Sequence, residues 1–179
     1  MPQRAEGLLA DSPRVEVILF EDDGLVPNNP RLPFLVYKDV LSKDCPAMDR
    51  VFEELYLKNG WQAPWRWSVY GYHHYHATTH EALGCFDGRA TIQFGGEKGR
   101  KIEVEKGDFA LIPAGVGHKN LKASAGFQMA GTYPLGFTAD MKRDRKDDHD
   151  GSLRMIAEVA IPDRDPLYGR DGPMRKHWR

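Results

Sequence analysis

Between Trp65 and Pro134 the chain is written as short β-branched and aromatic runs separated by glycine-rich turns: WRWSVYGYHHYH, EALGCFDGRATIQFGG, RKIEVEKGDFALIPAG and GFQMAGTYP. Each run suits one strand, and no helical pattern alternates with them as the crossovers of a parallel sheet would require. The pattern therefore predicts an antiparallel sandwich or barrel.

The flanks read differently. Val15 to Phe20 and Leu32 to Val40 are two further strand-like runs, joined by a stretch whose Asp-Gly and Asn-Pro steps mark turns. Met48, Val51, Phe52, Leu55 and Tyr56 then recur at helical spacing, with Pro46 near the start and Asn59-Gly60 at the stop. Beyond the β unit, DMKRDRKDDHDGS is a mixed charge run expected to form a solvated loop, with His149 in it read as a non-ligand. SLRMIAEVA follows as a short helix capped by Ser152, and the Pro/Gly-punctuated tail carries Tyr168 and Trp178, which should pack against the body. With 179 residues, 41% of them hydrophobic, the chain is expected to form a single domain. Its parts are N-terminal strands and helix (about 15–60), a core barrel (about 64–134), and the charged loop, short helix and tail (about 138–179).

Several function classes fall away on charge and composition. Lys and Arg number 25 against 26 Asp and Glu, a formal charge of -1, so no global field draws nucleic acid or an anionic membrane. No run approaches the length of a membrane span, and MPQRAEGLLADSPR lacks the apolar region of a secretory signal. A cytoplasmic location is expected, with Cys45 and Cys85 as thiols acting as small hydrophobes.

Within this frame, YHHYHATTHEALGCFDG (72–88) concentrates histidine in strand-like sequence. Residues two apart on a strand share a face, so His74 and His76 point one way and His73 and Tyr75 the other. Imidazoles about 7 Å apart on one face can close on a single cation. After the ATT turn, Glu81 leads a facing set with Leu83 and Cys85. A fourth ligand comes from GDFALIPAGVGHKN, where an Ala-Gly-Val-Gly turn delivers His118 to the start of the next strand.

The stretches His74-x-His76-x4-Glu81-x6-Gly88 and Gly107-x5-Pro113-x-Gly115-x2-His118, 18 residues apart, resemble the two motifs of the cupin superfamily. The flanks DDGLVPNNPRLPFLVYKDVL and DRDPLYGRDGP extend the likeness to the bacterial YjlB-like cupins. Ser68, where the first motif usually opens with glycine, and Asn120, nearer His118 than the usual asparagine, depart from the pattern at positions that are not ligands. The resemblance implies an all-β protein with short accessory helices: one conical antiparallel β-barrel of jelly-roll type. It implies one divalent metal (Fe, Mn, Ni or Zn) on His74, His76, Glu81 and His118, with His80 as the alternative to Glu81 under a shorter spacer. Cupins of the thiol dioxygenase kind carry cysteine where Glu81 stands, which counts against that subtype. The resemblance also implies a homodimer paired through sheet edges.

Three neutral imidazoles and a carboxylate leave a divalent cation with a net positive charge, which invites a small anionic, oxygen-donor ligand such as a carboxylate, enolate or catecholate. A dioxygenase or isomerase type of small-molecule enzyme is expected; the alternative is a non-catalytic module that holds a sugar or carboxylate in the same barrel. Strand parity carried back from His74 puts Tyr72, Tyr70, Ser68 and Arg66 on the ligand face, unless a bulge resets it. Tyr70 and Tyr72 are thus candidate catalytic groups, and His80, where it is not a ligand, is a further candidate acid or base near the metal; Arg66, Gln93 and Gln128 are candidate substrate contacts. For the two glutamines the alternation with Ile92, Phe94, Phe127 and Met129 leaves open which set faces inward. Trp65 and Trp67 share a face; an apolar mouth, a subunit interface and plain core all suit them.

Overall fold

The computed structural model describes residues 4–62 and 64–179. Its strands are β1 (Arg14–Ile18), β2 (Phe34–Lys38), β3 (Trp65–Trp67), β4 (His74–Tyr75), β5 (Glu81–Asp87), β6 (Arg89–Phe94), β7 (Arg100–Glu105), β8 (Phe109–Ile112), β9 (His118–Ala123), β10 (Gln128–Thr132) and β11 (Lys142–Arg143). They form two antiparallel sheets, ordered β1-β2-β8-β5-β10-β3 and β11-β4-β9-β6-β7. The sheets face each other as a jelly-roll barrel, with Phe34, Val36, Leu83, Cys85, Ile92, Phe94, Val104 and Met129 among the apolar side chains that fill it.

Two glycines of the sequence motifs mark corners where the chain changes sheet. Gly88, at φ 67°, lies between β5 and β6, and a Cβ there would meet the Phe127 backbone at 2.9 Å. Gly107, at φ 95°, lies between β7 and β8, and a Cβ would meet the Leu41 carbonyl oxygen at 2.4 Å. Only glycine combines that backbone with so close an approach.

The outer face of the six-stranded sheet is covered by helix α1 (Met48–Lys58), which buries Met48, Val51, Phe52, Leu55 and Tyr56, the stripe its spacing predicts. Full burial of a large apolar side chain contributes about 1.5–3 kcal/mol, so this stripe is enough to fix the helix. Gly84 in β5 makes the room: a Cβ there would sit 2.7 Å from the Phe52 ring.

The tail closes the same layer through helix α3 (Pro173–His177). Trp178 is buried and donates its indole N–H to the Pro33 carbonyl at 2.8 Å. The buried Asp165 accepts from the Tyr37 hydroxyl at 2.7 Å and from the backbone N–H groups of Leu167, Tyr168 and Met174 at 2.9–3.0 Å.

The charge run is not the expected solvated loop. Helix α2 (Lys146–Glu158) starts inside it, after β11, and Ser152 lies mid-helix instead of capping it. Ser152 donates its hydroxyl to the Asp148 carbonyl and accepts from the Tyr75 hydroxyl at 3.2 Å. The reason lies in the run itself. Asp147 and Asp148 suit the positive N-terminal end of a helix, Lys146 pairs with Asp150 one turn on, and His149, Ser152 and Ile156 form the buried stripe.

Candidate metal centre

The site is assembled across the two sheets. His74 on β4 pairs directly with His118 on β9, so both imidazoles rise from the same face of the five-stranded sheet, with ring centroids 4.0 Å apart. His76, two residues on, follows the same parity; its ring lies 5.8 Å from that of His74 and 6.0 Å from that of His118. One nitrogen from each histidine lies within 4.8 Å of those of the other two. Glu81, the first residue of β5 in the opposite sheet, places Oε2 3.1 Å from His118 Nε2 and 3.5 Å from His76 Nε2. All four side chains are buried.

Backbone carbonyls set the tautomers. His74 Nδ1 lies 3.3 Å from the Tyr72 carbonyl, His118 Nδ1 lies 3.2 Å from the Val116 carbonyl, and His76 Nδ1 contacts the Asp140 carbonyl. A carbonyl only accepts, so each Nδ1 carries the proton and each neutral ring keeps its lone pair on Nε2. Asp140 is itself fixed, its Oδ1 accepting from the backbone N–H groups of Ala77 and Thr78 at 2.8 and 3.1 Å.

The result is an electron-rich convergence. Glu81 Oε2 is buried without a hydrogen-bond partner and faces imidazole lone pairs. Burial would raise the Glu81 carboxyl, yet His76 and His118 hold it well below its usual range. Burial likewise opposes charge on His76, but Glu81 raises it above the ordinary imidazole value. His74 is pushed down to about 2 by burial and by its histidine neighbours, against the pull of Glu81. The donor set of three nitrogens and one carboxylate oxygen fits a divalent cation of the Mn-to-Zn series.

A cavity of about 230 Å³ opens onto these four side chains, walled by Trp65, Trp67, Val69, Tyr70, Tyr133 and Met141. Tyr70 is therefore at the site, whereas Tyr72 lies one layer back, stacked on Tyr70 at 4.9 Å. Trp65 and Trp67 line the mouth, while Trp61 is buried in the outer core.

Arg66 is turned away from the cavity and pairs with Asp49 and Glu53 of α1. The parity argument fails for it because residues 68–73 leave strand conformation as the chain passes from β3 in one sheet to β4 in the other. Gln93 donates to the Glu97 carbonyl and Gln128 is half-buried; neither lines the cavity, because Ile92, Phe94, Phe127 and Met129 take the inward positions. His80 is fully buried on the other side of β5, where Nδ1 accepts from the Ala114 N–H at 2.9 Å and its ring lies 4.6 Å from that of Trp178. Burial pushes its pKa down to about 3, and the ring stays neutral. His73 faces Glu97 at 2.9 Å, and His149 bridges Asp22 and Asp150.

Val69, Tyr133 and Met141 wall the cavity without any sequence signal that singles them out. Tyr133 packs edge-on against His76 at 5.6 Å, and its phenol is raised far above its usual value by burial and by Glu81. It follows β10 in a segment whose only local signal was the end of a strand.

The family model for the cupin domain matches residues 67–126, a span that includes all four convergent side chains. The protein YjlB of Bacillus subtilis, described as uncharacterized, is 40% identical over 163 residues, 91% of this chain and 96% of that one. Among solved structures, a DUF861 family protein from Thermotoga maritima is 23% identical, covering 51% of this chain and 94% of the other at a TM-score of 0.33. An acireductone dioxygenase from Bacillus anthracis, with cadmium in its active center, is 16% identical over 68% of this chain and 77% of the other, at 0.36. At such values the structural likenesses bear on neither reaction nor substrate. Identity to YjlB along almost the whole length, together with the matched domain, makes this chain a cupin of the YjlB-like family.

Proposed function

We propose that the protein holds one divalent cation on His74 Nε2, His76 Nε2, His118 Nε2 and Glu81 Oε2, and acts on a small anionic oxygen donor in the adjoining cavity. The observation that carries this reading is the grouping of three imidazole nitrogens within 4.8 Å of one another, two of the rings beside a buried carboxylate oxygen that has no hydrogen-bond partner. A divalent cation bound there supplies Lewis acidity toward the oxygen donor. Trp65, Trp67 and Met141 line the opening with apolar surface, and Tyr70 and Tyr133 bring phenol hydroxyls to the cavity wall. The enzymatic reading is preferred to passive binding because phenol hydroxyls beside the ligand set can donate hydrogen bonds to charge developing on a bound oxygen.

Cobalt(II) substitution tests the reading. The visible absorption of the cobalt-loaded protein should shift and saturate on addition of acetate or oxalate, as expected when an oxygen donor enters the metal's coordination. A spectrum indifferent to both anions would contradict an accessible site. Pairing of two copies through sheet edges belongs to the same proposal, and light scattering at twice the mass of one chain is the result it expects. A cytoplasmic location is also part of it, supported by the two buried free thiols, Cys45 and Cys85. Among the described residues no helix is long and apolar enough to cross a membrane.

A further inference from the structure

Strand β11 borders the site on the side opposite β9. In the register of the five-stranded sheet His74 stands between His118 on one neighbour and Arg143 on the other. Residues directly opposed in antiparallel strands project to the same face, so Arg143 emerges on the face that carries the imidazoles. Met141, two residues earlier, lines the cavity, which agrees with that parity.

The Arg143 guanidinium lies over the Tyr72 ring, Cζ 3.5 Å from its centroid, and Tyr72 stacks in turn on the cavity residue Tyr70. The charge is otherwise unclaimed. Among the described residues Arg143 makes no ion pair, and its Nε is buried without a hydrogen-bond partner. Lys142 and Lys146 face Asp148 and Asp150, and Arg154 faces Glu158, whereas Arg145, like Arg143, has no ion pair among the described residues. Asp148 is close to Arg143, yet it accepts only the backbone N–H, at 2.9 Å. No Lys or Arg lines the cavity wall itself. Stacking uses the face of a guanidinium and leaves its N–H edge for a planar anion, the geometry suited to a bidentate carboxylate.

We infer that Arg143, held flat by Tyr72, is the anchor for a carboxylate on the substrate. The ligand class is then a small acid with two separated oxygen functions, one for the cation and one for the guanidinium: a short dicarboxylate, or a hydroxy or oxo acid of similar length. The inference rests on the cation site proposed above and deepens it by naming what the far end of the substrate carries.

Isothermal titration of the metal-loaded protein with acetate, malonate, succinate and glutarate tests it. At least one dicarboxylate should bind about tenfold or more tightly than acetate, and Arg143→Met should remove that preference while leaving acetate affinity and metal content unchanged. Arg143→Lys, which retains charge without the planar fork, should keep the metal and lose most of the preference, and it serves if the methionine variant does not fold. A metal-loaded protein with no preference for any dicarboxylate, or with a preference that survives Arg143→Met, overturns the role of Arg143 and leaves the cation site standing. A chain that takes up no metal defeats the cation site, and this inference with it.

Discussion

Replacing Asp165 by alanine should be among the most damaging single changes in this chain, although the residue lies far from the cavity. The carboxylate is fully buried and accepts four hydrogen bonds, from the Tyr37 hydroxyl and the N–H groups of Leu167, Tyr168 and Met174. Hydrogen bonds to a charged group contribute about 1.5–3 kcal/mol each, and donors left buried and unpaired cost about 1–3 kcal/mol. Such terms do not add fully, because water or a relaxed loop recovers part of them. The expected loss for Asp165→Ala is therefore about 3–5 kcal/mol, or roughly 10–15 °C in melting temperature for a domain of this size.

Asp165→Asn separates hydrogen bonding from shape. Its remaining carbonyl oxygen can keep the Leu167 and Tyr168 bonds, while its amide confronts the Met174 N–H, so about half the loss is expected. Urea unfolding followed by tryptophan fluorescence measures both variants, and metal content should be unchanged in each, because no proposed ligand contacts Asp165. An alanine variant within about 1 kcal/mol of the parent, or an asparagine variant as unstable as the alanine one, would refute the reasoning.

Gly115, at φ 91°, leads the turn that carries His118, and a Cβ there would meet the Asn28 carbonyl oxygen at 2.5 Å and Ile156 Cδ1 at 2.7 Å. Gly115→Ala should cost about 2–3 kcal/mol and weaken metal retention, whereas Gly136→Ala, at φ 88° in open space, should cost only the backbone strain of about 1–2 kcal/mol; calorimetry and metal analysis of the pair check this. Burial disfavours a charged His149, but its hydrogen bonds to the Asp150 and Asp22 carboxylates win and raise its pKa. A raised folded value means stability that is fully present below the unfolded pKa of about 6.5 and is lost as pH rises through the folded value. The stability gap between the parent and His149→Gln should accordingly be larger at acid pH than at alkaline pH, and equal gaps in denaturant titrations at the two extremes would count against it.

Much of this architecture is written locally and was legible for that reason. The strands from Trp65 onward and the stripe of α1 follow from period and turn chemistry alone, and the motif spacing groups His74, His76 and His118 with Glu81 or its alternative His80, of which the structure brings Glu81 to the histidines. Arg66 was misread because parity was carried through residues 68–73, where the chain leaves one sheet for the other, and parity survives only within continuous strand. The orientation of Gln93 and Gln128 depended on which face packs against the opposite sheet, a tertiary property. Tyr133 reaches the cavity wall from a segment distant in sequence, so no local pattern announces it. Helix α2 was hidden by weighing its charges as solvated chain; read at i, i+3 and i+7, His149, Ser152 and Ile156 mark its buried side.

The most direct test of the account is elemental analysis of untagged protein purified without chelator, beside His118→Ala and Glu81→Ala. Close to one equivalent of a divalent transition metal per parent chain, with most of it lost from both variants while their circular dichroism remains that of the parent, is the result expected when four convergent ligands hold one ion. Trace metal in all three proteins, or parent-like metal in both variants, would contradict it.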